Sequence, residues 1–134
     1  MPNYDAGKLI NAAKDARKYS QAKYSNFRVG AALLDENGAI FSGCNIESSS
    51  YSLTICAERV ALAKALSEGA TKFKAIAITA IDGKFCSPCG ACRQLLYDYA
   101  PEIDVILTDG KNQKILKLSE LLPYAFEESQ LSRK

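Results

Sequence analysis

Residues 56–81, CAERVALAKALSEGATKFKAIAITAI, predict a helix followed by a buried strand. From Cys56 to Glu68 the segment consists mostly of Ala, Leu, Glu, Arg and Lys, which favour helix formation. Gly69 follows where a helix needs a left-handed terminating residue. Ala75 to Ile81 is a continuous apolar run, which is typical of a central strand covered on both faces. A helix followed by such a strand indicates an α/β fold.

The flanking sequence extends this pattern in both directions. A helix is predicted from about residue 5 to residue 20, with Asp5 as its cap, and a β-hairpin from the runs 29–34 and 39–41. Downstream we expect a helix at 90–99, a buried strand at 103–107, a weak strand at 115–118 and a short helix at 120–122. This order predicts one domain over residues 1–134, an α/β/α sandwich whose later strands are parallel.

The composition excludes several classes of protein. The chain has 134 residues, of which 48% are hydrophobic, and this is enough for one globular domain. The 17 basic and 15 acidic residues leave a net charge of +2, so there is no electrostatic reason to expect a nucleic-acid or membrane partner. Five cysteines and no signal-peptide pattern argue against a secreted disulfide framework and predict a cytoplasmic protein with reduced thiols.

The sequence contains no histidine, so any catalysis must use other groups or a metal held by sulfur. Two clusters offer such sulfur, Cys56-Ala57-Glu58-Arg59 and, with 32 residues between Cys56 and Cys89, Pro88-Cys89-Gly90-Ala91-Cys92-Arg93-Gln94. Each cluster lies where a loop becomes a predicted helix. Three thiolates from two helix N-termini can bind one Zn²⁺ and leave a fourth position for water, as in catalytic zinc sites.

The spacing alone leaves alternatives open. Both Cys86 with Cys89 and Cys89 with Cys92 satisfy C-x-x-C, and we choose the second pair because Pro88 suits the turn into a helix. Cys86 is then a bystander, and Cys44 is interpreted as a packed free thiol. A redox pair or a closed knot of four thiolates would fit the same spacing. Glu58 favours the open zinc site, because a carboxylate two residues from a ligand can reach the open position and carry protons.

Across essentially all 134 residues the sequence resembles the small, homotetrameric, zinc-dependent cytidine deaminases. Their signature is a first ligand, a Glu two positions later and then Pro-Cys-x-x-Cys, with a three-cysteine variant. The resemblance implies the family's three-layer α/β/α sandwich around a mixed five-stranded sheet. It also implies one Zn²⁺ per subunit held by Cys56, Cys89 and Cys92, with Glu58 as general acid and base.

The resemblance implies further roles at the substrate. Asn45 and Glu47 correspond to the pair that holds the ribose hydroxyls, and Phe27 to the aromatic residue that packs on the pyrimidine. Tyr51 and Phe126 correspond to residues that complete a neighbouring subunit's pocket. The implied substrate-binding set is Phe27, Asn45, Glu47, Tyr51, Ala57 and Phe126. Without the resemblance, Phe27 beside a strand would be assigned to the core. Arg28 stands where the family commonly has Pro.

The implied reaction is the hydrolytic deamination of cytidine and deoxycytidine to uridine and deoxyuridine, in pyrimidine salvage. A zinc-activated water attacks C4 of the base, and Glu58 transfers the protons. Zinc bound by three thiolates carries one net negative charge, which opposes this activation. We therefore expect Arg59 and Gln94 to donate hydrogen bonds to the ligand sulfurs.

Three other functions compete with this interpretation. A deaminase of an aminopyrimidine nucleoside antibiotic, such as blasticidin S, would share the zinc motif, whereas a polynucleotide-editing deaminase would need a basic channel. A zinc-stabilised binding or redox module belongs to a different class and would show no deamination.

Overall fold

A mixed five-stranded sheet forms the middle layer of the computed structural model, which describes residues 3–131. Its strands are β1 (Gly30–Asp35), β2 (Ile40–Cys44), β3 (Phe73–Thr79), β4 (Asp104–Thr108) and β5 (Gln113–Lys117), in the order β2-β1-β3-β4-β5. Strands β3 and β4 are parallel, and the other neighbouring pairs are antiparallel. The predicted hairpin is β1 with β2.

Helices cover both faces of the sheet. They are α1 (Ala6–Arg17), α2 (Ala57–Ser67), α3 (Gly90–Tyr99) and α4 (Leu118–Leu121), with 3₁₀ turns at Tyr51–Leu53 and Glu128–Leu131. Alternate residues of β1 divide between the two faces, as the pleat of a strand requires. Ala32 and Leu34 pack with α1 in one cluster, whereas Ala31 and Leu33 pack with α2 and α3 in the other. The predicted three-layer sandwich is confirmed.

The predicted element boundaries differ from the observed ones by a few residues. Helix α3 has the predicted limits, and α1 ends at Arg17 rather than near residue 20. Strand β3 begins at Phe73 and ends at Thr79, and Ile81, the last residue of the predicted strand, is 52% exposed in the following loop. The two 3₁₀ turns were not predicted, because such short turns leave no hydrophobic period.

Two glycines let the helices approach the sheet closely. A Cβ on Gly30 would lie 1.9 Å from the carbonyl oxygen of Ala13 in α1. A Cβ on Gly43 would lie 2.6 Å from the carbonyl oxygen of Ala57 in α2. Gly43 therefore sets the distance between β2 and the first turn of α2, where Glu58 lies. Within residues 3–131, no helix has the length and apolar character needed to cross a membrane.

Candidate functional site

Two helix N-termini bring three cysteine sulfurs together. Cys56 is the N-cap of α2, Cys89 is the N-cap of α3, and Cys92 lies in the first turn of α3. The Sγ atoms of Cys56 and Cys89 are 3.8 Å apart, and those of Cys89 and Cys92 are 3.4 Å apart. All three lie within 4.8 Å of one another. The positive ends of two helix dipoles therefore face one group of thiols and favour their ionised forms.

The donor set fits a zinc ion. Sulfurs at the corners of a tetrahedron around Zn²⁺, with Zn–S bonds of about 2.3 Å, lie about 3.8 Å apart. The two shorter separations in this structure, 3.8 and 3.4 Å, are close to that spacing. Arg59 adds a second indication, because its Nε is buried and has no acceptor among residues 3–131. A guanidinium beside three thiols suits a ligand set that becomes negatively charged when it binds a metal.

The electrostatics of the thiols reinforce this interpretation. Donation of a hydrogen bond by the Cys92 thiol lowers the pKa of Cys56 to about 5, and Arg59 acts in the same direction. The same interaction raises the pKa of Cys92. Cys56 therefore ionises before Cys92. Metal binding to such a group releases the protons that remain.

Glu58 lies in the first turn of α2 and is only 5% exposed. Burial raises the pKa of its carboxyl group to about 7, and the charge of Cys56 acts in the same direction. A buried carboxyl group next to three thiols, with no salt-bridge partner among residues 3–131, is costly for folding and points to a chemical role.

Arg59 and Gln94, both expected to donate to sulfur, differ in their contacts. Nη2 of Arg59 lies 3.9 Å from Sγ of Cys56 and donates to the carbonyl oxygen of Thr54 at 3.0 Å. Nε2 of Gln94 instead donates to the carbonyl oxygen of Phe126 at 2.9 Å and to Asp98 at 3.1 Å. The structure therefore places Arg59 at the thiols and directs Gln94 to the C-terminal part of the chain.

The other two cysteines stand apart from this group, and all five lie among the described residues. Burial raises the pKa of Cys86 to about 11, and the charge of Glu58 acts in the same direction. Burial also raises the pKa of Cys44, which lies at the end of β2. Both thiols stay protonated at neutral pH. The geometry favours the pairing of Cys89 with Cys92 over that of Cys86 with Cys89.

The residues expected to bind ribose hold the loop before β1. Nδ2 of Asn45 donates to the carbonyl oxygen of Phe27 at 2.7 Å, and its Oδ1 accepts from the backbone of Val29 at 3.0 Å. Glu47 accepts from the backbone N–H groups of Tyr24 and Ser25, both at 3.0 Å, and from the Ser25 hydroxyl. The Ser25 hydroxyl and these N–H groups lower the pKa of Glu47. Its carboxylate is therefore ionised at neutral pH.

A cavity of about 260 Å³ lies beside this loop. It is lined by Tyr24, Ser25, Glu47, Ser48, Tyr51 and Thr54. The structure thus brings together Glu47 and Tyr51, two of the residues predicted to bind substrate. None of its lining residues is a thiol, but the carbonyl group of Thr54 accepts from Arg59. Thr54 therefore connects the cavity to Arg59, whose side chain lies beside the sulfurs.

The remaining predicted substrate residues differ in exposure. Ala57 is completely buried in the first turn of α2. Phe27 is 40% exposed, so its assignment to the core on sequence position alone is wrong. It follows Asn26, whose φ of 57° turns the chain at this point. Tyr51 is 78% exposed and Phe126 is 49% exposed. The described residues therefore cover about half of Phe126 but leave most of Tyr51 uncovered.

Sequence reasoning missed two residues that organise this site. Ser25 holds Glu47, and Arg93 donates two hydrogen bonds to the loop that precedes Cys89 and a third to the carbonyl oxygen of Leu121. Arg93 directly follows Cys92 in the sequence, and this position could have indicated that it has a role at the metal-binding loop. Ser25 carried no signal of its own, because its partner lies 22 residues away.

Comparison with known proteins identifies the group to which this site belongs. A family model described as "Cytidine and deoxycytidylate deaminase zinc-binding region" matches residues 4–108. Cytidine deaminase from Sporosarcina psychrophila is 47% identical over 130 residues, which cover 96% of each chain. The crystal structure of cytidine deaminase from Burkholderia pseudomallei superposes with a TM-score of 0.88 at 43% identity, covering 92% of this chain and all of the other.

A relative with a different name is also similar. Blasticidin-S deaminase from Bacillus cereus is 35% identical over 108 residues, which cover 73% of this chain and 76% of the other.

Proposed function

The chain belongs to the cytidine and deoxycytidylate deaminase family and is an enzyme of the cytidine deaminase type, and from this premise we propose its reaction and its catalytic residues. The reaction is the hydrolytic deamination of cytidine and deoxycytidine to uridine and deoxyuridine, with release of ammonia, in nucleoside salvage. The observation that carries the proposal is the group of three sulfurs at two helix N-termini with the buried carboxyl group of Glu58 beside it.

Cys56, Cys89 and Cys92 hold one Zn²⁺ in each subunit. When bound there, the ion lowers the pKa of water and so supplies a nucleophile at neutral pH. The chain's own contribution is to fix three ligands and leave one position open, since no fourth sulfur lies within reach among the described residues. This open position distinguishes the proposed catalytic site from a structural zinc site, in which four protein ligands surround the metal.

Glu58 carries the protons. Its carboxylate accepts a proton from the attacking water and delivers it to N3 of the cytosine ring as oxygen bonds to C4. It then takes the remaining proton from the new C4 hydroxyl group and transfers it to the amino group, so that the C4–N bond breaks, the C4=O bond of the product forms, and ammonia leaves. The helix holds the carboxyl group in a buried place, so bulk water does not compete for these protons.

Arg59 offsets the charge of the three thiolates. Its guanidinium contacts Sγ of Cys56 and is anchored on the carbonyl oxygen of Thr54. A permanently charged donor at a ligand sulfur withdraws electron density, and this counteracts the weakening of the metal as a Lewis acid.

The nucleoside binds on the open side of the metal centre. We assign the ribose hydroxyls to Asn45 and Glu47, the base to Phe27 and Ala57, and the rim of the site to Tyr51. The support is that Glu47 and Tyr51 line one cavity and that the ring of Phe27 is exposed. Because Asn45 and Glu47 are already hydrogen-bonded within the chain, substrate hydroxyls must join or replace those bonds.

The site is completed by other copies of the chain in a homotetramer. Large apolar side chains are exposed in two regions that would meet a neighbour, at Tyr51 and Leu53 and again at Tyr124, Phe126 and Leu131. Exposed apolar residues gathered in this way mark interaction surfaces. Phe126 of one subunit would then close the pocket of another.

The similarity to a blasticidin-S deaminase supports a second candidate substrate, an aminopyrimidine nucleoside antibiotic. The chemistry at the metal would be the same, and only recognition would differ. Comparison of kcat/KM for cytidine and for blasticidin S decides between them. We expect the value for cytidine to be higher, and a higher value for the antibiotic would reverse the assignment.

The proposal is tested by following the loss of cytidine absorbance with and without a strong zinc chelator. We expect the chelator to abolish turnover and added Zn²⁺ to restore it. The matched variants are Cys56→Ala, which should lose zinc and activity, and Cys86→Ala, which should keep both. Full turnover by zinc-free protein would contradict the proposal, as would stoichiometric zinc in Cys56→Ala.

A further inference from the structure

Arg93 makes an unusual set of contacts for a positively charged side chain. Its Nε donates to the carbonyl oxygen of Pro88 at 2.8 Å, and its Nη2 donates to Oγ of Ser87 at 2.9 Å. Its Nη1 donates to the carbonyl oxygen of Leu121 at 2.7 Å. All three acceptors are neutral, and no carboxylate among residues 3–131 forms a salt bridge with Arg93. The side chain therefore serves as a clamp between two segments rather than as half of an ion pair.

The first clamped segment leads directly into the metal centre. Ser87 and Pro88 immediately precede Cys89, and the Pro88 side chain is fully buried. The backbone N–H of Arg93 also donates to the carbonyl oxygen of Cys89 at 2.9 Å. Arg93 thus holds the residues before Cys89 through its side chain and Cys89 itself through its backbone. Any shift of this loop would move Sγ of Cys89 relative to that of Cys92, which is fixed inside α3.

The second clamped segment is the C-terminal segment, defined here as residues 118–131. Leu121 ends α4 and packs against the core cluster that contains α2 and α3. Further contacts hold the segment on α3, since Gln94 donates to the carbonyl oxygen of Phe126 and the Tyr97 hydroxyl donates to Glu127 at 2.7 Å. The C-terminal segment is therefore a fixed support against which Arg93 can hold the metal-binding loop.

We propose that Arg93 is a positioning residue that sets the Cys89–Cys92 sulfur spacing by clamping the loop before Cys89 to the C-terminal segment. The inference rests on the proposed zinc site. A guanidinium suits this task because its donors lie in a rigid planar fork and reach three acceptors at once. A lysine ammonium at the same place would reach one of the acceptors and leave the others without this donor. Partners of this kind, which orient a ligand without touching the metal, commonly change metal affinity by about 10–100-fold when removed.

The test measures metal binding rather than turnover. Purified wild type, Arg93→Ala, Arg93→Lys and Ser87→Ala are titrated with Zn²⁺ against a chromophoric chelator, and Co²⁺ is substituted to record the ligand-field bands of the thiolate site. Lys111→Ala is the matched control, because Lys111 is exposed and no hydrogen bond or salt bridge of its side chain is found among residues 3–131. Thermal melts of the metal-loaded proteins show which variants are folded.

We expect zinc affinity to fall about 10–100-fold in Arg93→Ala, with altered cobalt bands, and to fall less in Arg93→Lys and Ser87→Ala. Lys111→Ala should match the wild type. Folded Arg93→Ala with wild-type affinity and cobalt bands would overturn the inference.

If Arg93→Ala does not fold, Arg93→Lys and Ser87→Ala decide the question, and wild-type affinity in both would overturn the inference equally. Wild-type protein that binds no zinc would instead overturn the proposed function, so the two failures are distinct.

Discussion

The metal centre and the nucleoside-facing surface of this chain differ sharply in how completely one chain builds them. At the proposed metal centre, Cys92 is fully buried, Glu58 is 5% exposed, and Arg59 contacts the Cys56 sulfur, whereas Cys89 is exposed. At the nucleoside-facing surface, Tyr51 is 78% exposed and Phe126 is 49% exposed. Under the proposed function, one chain supplies the chemistry, whereas recognition of the substrate would depend on surfaces that a second subunit covers.

The two regions also differ in what their polar groups do. Glu58 is buried without a salt-bridge partner among the described residues, which supports its proposed role in proton transfer. Glu47, by contrast, accepts three hydrogen bonds from Tyr24 and Ser25. Within one chain, Glu58 therefore has no salt bridge to break, whereas Glu47 is held in place by bonds that the proposed ribose hydroxyls would join.

Glu58→Gln should have the largest effect on turnover. We expect kcat for cytidine to fall by about 10²–10⁴-fold, because general acid and base catalysis contributes a factor of that size. Zinc content should stay at the wild-type value, since the carboxylate is not a ligand. Steady-state kinetics and metal analysis of the same sample measure both. Glu68→Gln, at the exposed end of α2, is the control, and zinc-free Glu58→Gln would contradict the assignment.

Arg59→Ala should have the next largest effect and also acts at the metal centre. Loss of the guanidinium removes the donor at Sγ of Cys56 and the anchor at Thr54, so we expect kcat to fall about 10–100-fold. Much of the protein should remain folded, as shown by its thermal melt. Wild-type kcat together with wild-type zinc content would show that the thiolate charge needs no compensation from Arg59.

Ser25→Ala tests the nucleoside-facing surface and should have a smaller effect. It removes the hydroxyl donor to Glu47 and leaves the two backbone donors in place. A hydrogen bond of this kind contributes roughly 1 kcal/mol, so we expect KM for cytidine to rise about 5-fold with zinc content unchanged. A fall in kcat with an unchanged KM would place Ser25 in the chemical step instead.

The helix limits and the grouping of the three sulfurs could be predicted because they depend on helix ends, which are determined by residues that are close together in the sequence. Helix α3 has its predicted limits because its helix-forming residues are bounded by Pro88 and Pro101. The three sulfurs meet because Cys56 and Cys89 cap two helix starts and Cys92 lies in the first turn of α3. Phe27 without the resemblance would have been assigned to the core, because a position beside a strand does not report exposure. The partners of Arg93 and Gln94 lie 28 and 32 residues further along the chain, and only the packed structure brings them together.

The division between a self-contained metal centre and a shared pocket is tested most directly by mixing two defective subunits. Phe126→Ala alone should lose about 10-fold in kcat/KM, and Glu58→Gln alone should be nearly inactive. In a mixed oligomer, a Phe126→Ala subunit keeps Glu58 and can receive an intact Phe126 from its Glu58→Gln neighbour. We expect co-assembled protein to exceed the summed activity of the two variants, whereas Glu58→Gln mixed with wild type should only dilute activity. Activity equal to that sum, or a fully active Phe126→Ala monomer, would contradict the shared pocket.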